Sequence, residues 1–283
     1  MLLFDSHAHY FDERYDDSTE GPDADALLTR ILSAYGGEVS HIVNVGTNIQ
    51  TSMAALQQAA RYPGMLAAVG IHPEDCQQLP DPEAQMAALR TLLCCDGADP
   101  ACARREKGIV AIGEIGLDYY ERPYLPVNKP LQAWYFEQQL QLAKEQDLPV
   151  IIHDREAHGD CLETVLRFPG VRGVFHSFSG SVEMARELCR RGWMISFSGV
   201  VTFRNAARVQ QVAASVPLEH LLVETDAPYL APHPHRGKRN DSSLMLHTVE
   251  ALAQLHGISA EQLAQTTARN AAKLFGLEVE SAV

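Results

Sequence analysis

The chain has 283 residues, 46% apolar and 21% charged, a globular composition that excludes collagen-like, low-complexity and disordered readings. Its formal net charge is −13, from 23 Lys and Arg against 36 Asp and Glu, so no broad basic face is expected to grip duplex nucleic acid through its phosphates. No apolar run approaches the ~18 residues of a membrane span, and the opening Met-Leu-Leu-Phe-Asp-Ser-His turns polar too soon for a secretory signal, so a cytoplasmic protein without membrane contact is expected.

Eight short apolar, β-rich stretches recur along the chain, most of them separated by segments with helical periodicity. Residues 2–4 lead to a helix over 23–35, residues 41–45 to one over 51–62, and residues 66–71 to one over 82–93. Strand 109–112 precedes helix 131–146, strand 149–152 precedes helix 158–168, and strand 173–175 precedes helix 182–191. Strand 193–197 is followed by helix 204–214. Strand 221–223 is followed by two closing helices, one near 244–256 and one opened by Ser259 with Gln262 in capping-box spacing. Strand and helix alternating eight times predicts an α/β fold, a single (β/α)8 TIM-like barrel with extra C-terminal helices, as one domain over residues 1–283. An open doubly wound sheet competes with it, but Asp5-Ser6-His7-Ala8-His9 after the first strand has none of the glycines of a phosphate-binding turn. Residues 96–107 read as a surface insertion at the N-terminal end of the barrel. Cys76, Cys94, Cys95, Cys102, Cys161 and Cys189 lack the spacing of a zinc ribbon or disulfide framework, so reduced thiols are expected, with metal capture by Cys94, Cys95 and Cys102 a minor alternative.

The polar residues at the strand ends carry the chemistry. His7 and His9, two apart in extended chain, point to the same side of the sheet after strand one. Glu114, His153, His176 and Asp226 stand just past the apolar runs of strands four, five, six and eight, where barrel enzymes place their reactive groups. Taken singly, a histidine can cap a strand and an aspartate before Ala-Pro can make a turn. Together, four imidazoles and two carboxylates at one end of one barrel would leave several polar groups poorly satisfied without a cation. Six side chains exceed one catalytic ion, so two are expected. A bridging carboxylate divides the ligands into His7, His9, Glu114 and Asp226 on one ion, and Glu114, His153 and His176 on the other. Zn, Mn, Co or Ni suits that mixture, and Mg less so.

These motifs resemble the TatD-type metal-dependent deoxyribonucleases of the amidohydrolase superfamily. The resemblance runs through Phe4–His9, Val69-Gly70-Ile71-His72-Pro73, Gly113-Glu114-Ile115-Gly116-Leu117-Asp118-Tyr119-Tyr120, Pro149–His153, Phe175-His176-Ser177-Phe178-Ser179-Gly180 and Glu224-Thr225-Asp226-Ala227-Pro228-Tyr229-Leu230. It implies a (β/α)8 barrel, divalent-metal dependence, the same ligand division, and phosphodiester hydrolysis, commonly 3′→5′ exonuclease action on DNA. Other members resemble D-aminoacyl-tRNA deacylases, so a metal-dependent acyl hydrolase of deacylase or lactonase kind is the alternative. A non-enzymatic scaffold fits poorly with six competent ligand positions, and a metal or nucleotide sensor would bind without turnover. Arg236-Gly237-Lys238-Arg239-Asn240 fits the family's Arg-Gly-Lys-x-Asn, but Asp241-Ser242-Ser243 stands where Glu-Pro is common, a departure expected to touch only a substrate-facing loop.

In the expected mechanism a metal-bridging hydroxide attacks phosphorus, while Asp226 holds the nucleophilic water and takes its proton. Strand parity puts Asp5 and Glu224 on the inward face, where they can orient ligand histidines. His72, Arg155, Arg236 and Lys238 are candidate substrate or phosphate contacts. The partner expected is DNA or another phosphodiester, taken at ends or as single strands, with no obligatory protein partner.

Overall fold

Short β-branched runs alternating with capped amphipathic helices build one closed sheet. The computed structural model describes residues 2–94 and 107–277. β1 (Leu3–Ala8), β2 (Val39–Val45), β3 (Met65–Val69), β4 (Ile109–Asp118), β5 (Val150–Arg155), β6 (Gly173–Phe175), β7 (Met194–Phe197) and β8 (Leu221–Val223) pair in chain order, each parallel to the next. A parallel bridge between Ala8 and Ala227 joins the ends, with the His9 N–H on the Ala227 carbonyl at 2.7 Å and the Asp226 N–H on the His7 carbonyl at 2.9 Å. The (β/α)8 expectation holds.

The helices among the described residues are α1 (Ala24–Ile31), α2 (Ile49–Arg61), α3 (Pro82–Leu93), α4 (Lys129–Gln146), α5 (His158–Leu166), α6 (Val182–Arg190), α7 (Ala207–Ser215), α8 (Met245–His256) and α9 (Ala260–Phe275). Asn48 with Thr51 and Ser259 with Gln262 form capping boxes that satisfy the first amides of α2 and α9. α1 stops four residues short of the expected end, because Leu32 turns extended and residues Ser33–Tyr35 tighten into a 3-10 turn. No helix among the described residues is long and apolar enough to cross a membrane. Most of the expected 96–107 insertion, with Cys95 and Cys102, lies outside the described residues.

Inside the barrel, Phe4, Val43, Ala68, Ile151, Val174 and Leu222 pack together, and Leu274 and Phe275 of α9 close that cluster from below. A larger cluster, including Ile42, Leu89, Phe136 and Leu252, fills the layer between sheet and helices. Side-chain alternation carries the interior faces of β5, β6 and β8 straight up to His153, His176 and Glu224.

β1 and β4 depart from simple alternation. Asp5 pairs with Ile42 and Ala8 with Asn44, so three steps on β1 match two on β2. On β4, Ile112 pairs with Val150 and Ile115 with Ile152, again three against two. Each irregularity swaps the face that the following residues present. Two corrections follow. Phe4 lies inside the barrel, so Asp5 points outward, away from the face of His7 and His9. β4 does not end at Ile112; it runs to Asp118 with Glu114 within it. Its glycines permit this: Gly116 has φ +142°, and a Cβ there would overlap the His153 carbonyl oxygen, while one on Gly113 would come within 2.7 Å of Ile151 Cβ.

Gly116→Ala is expected to cost about 2–4 kcal/mol through backbone strain and this clash, a fall in Tm of roughly 5–15 °C. A thermal melt in chelator reads that loss free of any metal contribution, and an unchanged Tm would contradict the account.

Candidate metal centre

The C-terminal ends of the strands surround a cavity of about 840 Å³. On its floor the Glu114 carboxylate turns its two oxygens to different partners. Oε2 lies 3.3 Å from His7 Nε2 and 3.7 Å from His9 Nε2. Oε1 lies 2.7 Å from His153 Nδ1, 2.8 Å from His176 Nε2 and 3.4 Å from His72 Nε2. Asp226, from the turn after β8, sets Oδ1 3.5 Å from His9 Nε2 and 3.8 Å from His7 Nε2. Six residues from five strand ends thus meet around one carboxylate.

The second nitrogen of each imidazole decides what the first can do. His9 donates from Nδ1 to the Val45 carbonyl at 2.7 Å, which leaves a lone pair on Nε2 of the neutral ring. His176 Nδ1 faces Glu224 Oε1 at 3.3 Å, and His153 Nε2 faces Asp118 Oδ2 at 3.2 Å. Three inward nitrogens therefore present lone pairs to carboxylate oxygens. Such a set needs positive charge among its members, either protons or a cation.

His72 is the reverse. Its Nδ1 accepts the Glu74 N–H at 3.1 Å, so the neutral ring carries its proton on Nε2 and presents a donor to Glu114. Among the described residues, three groups have potential ligand atoms within 4.8 Å of one another: His7, His9 and Glu114; His7, His176 and Asp226; and His72, Glu114 and His153. The His72 tautomer argues against counting it in the third. The remaining imidazoles and carboxylates are the mixed N/O set that divalent transition ions take.

Burial disfavours charge throughout this site, yet local partners reverse it at most positions. For His153, burial is outweighed by the hydrogen bonds its ring donates to Asp118 and Glu114, which raise the pKa to about 9. For His176, burial is outweighed by the charges of Glu114 and Glu224, which hold it well above the usual range. Glu114 and Asp226 both sit below the usual carboxylate range, because the surrounding imidazoles overcome burial. Among the ligand imidazoles His7 alone moves down, through burial and then the neighbouring His176 charge.

The other expected residues divide. Glu224 reaches the site indirectly, accepting the Ser177 N–H at 2.7 Å beside its contact to His176. Arg155 lines the cavity, its guanidinium 4.1 Å from the Tyr120 ring centre. Arg236 and Lys238 are not among the cavity-lining residues; Arg236 stacks 4.3 Å over Phe203. Asp5 contacts no ligand imidazole. It accepts the backbone N–H of His7 at 3.2 Å and of Thr225 at 3.0 Å, with the Thr225 and Ser242 hydroxyls each at 2.6 Å. Ser242 also donates its N–H to the Tyr10 hydroxyl at 2.9 Å, a bond that proline cannot make. Ser242, at the centre of the departure from Glu-Pro, therefore lies buried against Asp5, and none of Asp241, Ser242 and Ser243 lines the cavity.

Sequence reasoning missed Asp118 and Arg122. Asp118 orients His153 and is held by Arg122, whose Nη2 lies 3.2 Å from Asp118 Oδ2 and 2.9 Å from Glu74 Oε2. Asp118 is four residues beyond Glu114 on the same strand, a signal that was visible only if β4 had been read through its glycines.

A family model described as TatD related DNase matches residues 4–276. The chain belongs to this family. It is 38% identical over 277 residues to the uncharacterized metal-dependent hydrolase YabD of Bacillus subtilis, covering 97% of this chain and 99% of that one. It is 34% identical over 283 residues to the uncharacterized metal-dependent hydrolase TatD of Mycobacterium tuberculosis, covering 97% and 98%. The crystal structure of the TatD homologue YjjV from Escherichia coli superposes with a TM-score of 0.82 at 29% identity, over 98% of each chain. The protein is thus a metal-dependent hydrolase of the TatD family.

In the metal-free TatD-family protein, protons must supply the positive charge. A raised histidine pKa stabilises the fold below the unfolded value of 6.5, and that stabilisation is lost as pH rises through about 9 at His153. The chelator-stripped protein is therefore expected to lose Tm between those pH values, and the metal-loaded protein to hold it better. Parallel melts check this, and identical pH dependence of the two forms would refute it.

Proposed function

We propose that this TatD-family hydrolase is a deoxyribonuclease of a single domain that removes nucleotides from the 3′ end of DNA with two divalent cations. One cation is assigned to His7, His9, Glu114 and Asp226, the other to Glu114, His153 and His176. The observation that carries this reading is the split of Glu114, whose Oε2 faces one imidazole pair and Oε1 the other. Imidazole-rich ligation favours Zn, Mn, Co or Ni over Mg. The net charge of −13 favours ends or single strands over long duplex, because the cations must supply most of the attraction for phosphate. Free thiols at Cys76, Cys161 and Cys189 suit a cytoplasmic enzyme.

When bound, the cations lower the pKa of water and offset charge developing on the phosphoryl oxygens. The chain's own groups supply the rest. Asp226, ionised at neutral pH and 15% exposed, accepts the proton of the attacking water and returns it to the leaving 3′-oxygen. His72 presents its Nε2–H beside Glu114, where a nonbridging oxygen can take the bond. Arg155, held against Tyr120, supplies positive charge for the next phosphate. Asp118 and Glu224 keep His153 and His176 aimed inward.

A 5′-labelled single-stranded oligonucleotide incubated with Mn²⁺, Zn²⁺ or Mg²⁺ is expected to give a descending ladder that chelator abolishes. Asp226→Asn should lower turnover by about 10²–10⁴-fold, with bound metal measured alongside. No ladder with any of these ions, while two are bound, would overturn the nuclease reading in favour of ester or amide hydrolysis.

A further inference from the structure

Seven large apolar side chains are exposed among the described residues, and three of them, Tyr124, Tyr229 and Leu230, line the cavity of the candidate metal centre. Tyr229 is 39% exposed, yet its ring is held firmly. Its hydroxyl donates to Asp12 Oδ2 at 2.6 Å, the Arg14 guanidinium lies 4.9 Å from its ring centre, and its N–H donates to the Asp226 carbonyl at 2.8 Å. Arg239 in turn fastens the segment carrying Asp12 and Arg14, donating to the carbonyls of Arg14 at 2.8 Å and Pro22 at 2.5 Å. An exposed aromatic ring normally gives up rotamer freedom when it binds; here that freedom is already gone.

We propose that Tyr229 is a stacking platform for the terminal base of the strand, so that the site selects a base-bearing end over a bare sugar-phosphate end; this rests on the nuclease reading above. The ring centre lies 6.3 Å from that of His9, whose Nε2 is 3.5 Å from Asp226 Oδ1, so the platform flanks the carboxylate that handles the water's proton, on the side where the released nucleotide would lie. Arg14 on the ring adds a cation to the platform, strengthening its hold on a base and on the phosphate beside it. Stacking is indifferent to base identity, because every base has a flat π-face. The platform therefore selects for an unpaired base without selecting a sequence.

The test uses two 5′-labelled oligonucleotides that differ only at the 3′ terminus, one ending in thymidine and one in an abasic tetrahydrofuran residue. The metal-loaded protein should prefer the base-bearing end by about 5- to 100-fold in kcat/KM, chiefly through KM. Tyr229→Leu should collapse that ratio toward one, and Tyr229→Phe, which keeps the ring and loses the bond to Asp12, should retain most of it. Equal rates on both ends with the unaltered protein, or a ratio that survives Tyr229→Leu, would overturn the platform and leave the nuclease reading standing. Cleavage of neither end overturns the nuclease reading and the platform with it.

Discussion

The structure turns on one electrostatic fact: a carboxylate, Glu114, is buried among imidazoles, three of which turn lone pairs inward. Left uncharged, the nitrogens of His153 and His176 would face oxygen across 2.7 to 2.8 Å with nothing attractive between them. Positive charge has to enter, and the surroundings decide how. Val45, Glu224 and Asp118 each occupy the outer nitrogen of one ring, so the rings cannot rotate their lone pairs away. The outer partners thus create a demand for cations as much as they orient ligands.

The barrel serves that arrangement through two irregular strands. Uninterrupted alternation is enough for β5, β6 and β8, whose interior residues lead directly to His153, His176 and Glu224. β1 and β4 each carry an extra residue against their neighbour, and these supply His7, His9 and Glu114. The bulge on β1 also frees Asp5 to face outward, where it bonds the backbone of both His7 and Thr225. Its pKa, pushed up to about 6 by burial against four hydrogen bonds, marks the cost of keeping a carboxylate there.

This division explains what the sequence made legible. Element order, the barrel and the meeting of His7, His9, Glu114, His153, His176 and Asp226 follow from residue type and position after apolar runs. The face of Asp5 does not follow, because parity counting assumes an unbroken pleat and a bulge leaves no compositional mark. Asp118 and Arg122 were hidden because Gly113 and Gly116 make the strand look finished. Arg236 and Lys238 show a further limit. Charge near a strand end does not say where a long side chain points, and Arg236 lies flat on Phe203. In sequence Ser242 looks like a loop substitution, yet it is a buried donor, a distinction that only its partners Tyr10 and Asp5 reveal.

The bridge between Ala8 and Ala227 has a consequence for how the protein comes into being. The chain's first strand meets its last there, and the same seam brings Asp226 to His7 and His9 across about 220 residues. During synthesis the two histidines precede their partner, which follows only after all eight strands have been made. A ribosome-bound fragment ending before β8 offers only part of the donor set, without the acid and without the Thr225 backbone that Asp5 ties to His7. Contacts this distant in sequence slow folding, and they also make a loaded centre a sign that the barrel has closed. The hydrolase cannot assemble its reactive end before all eight strands are in place.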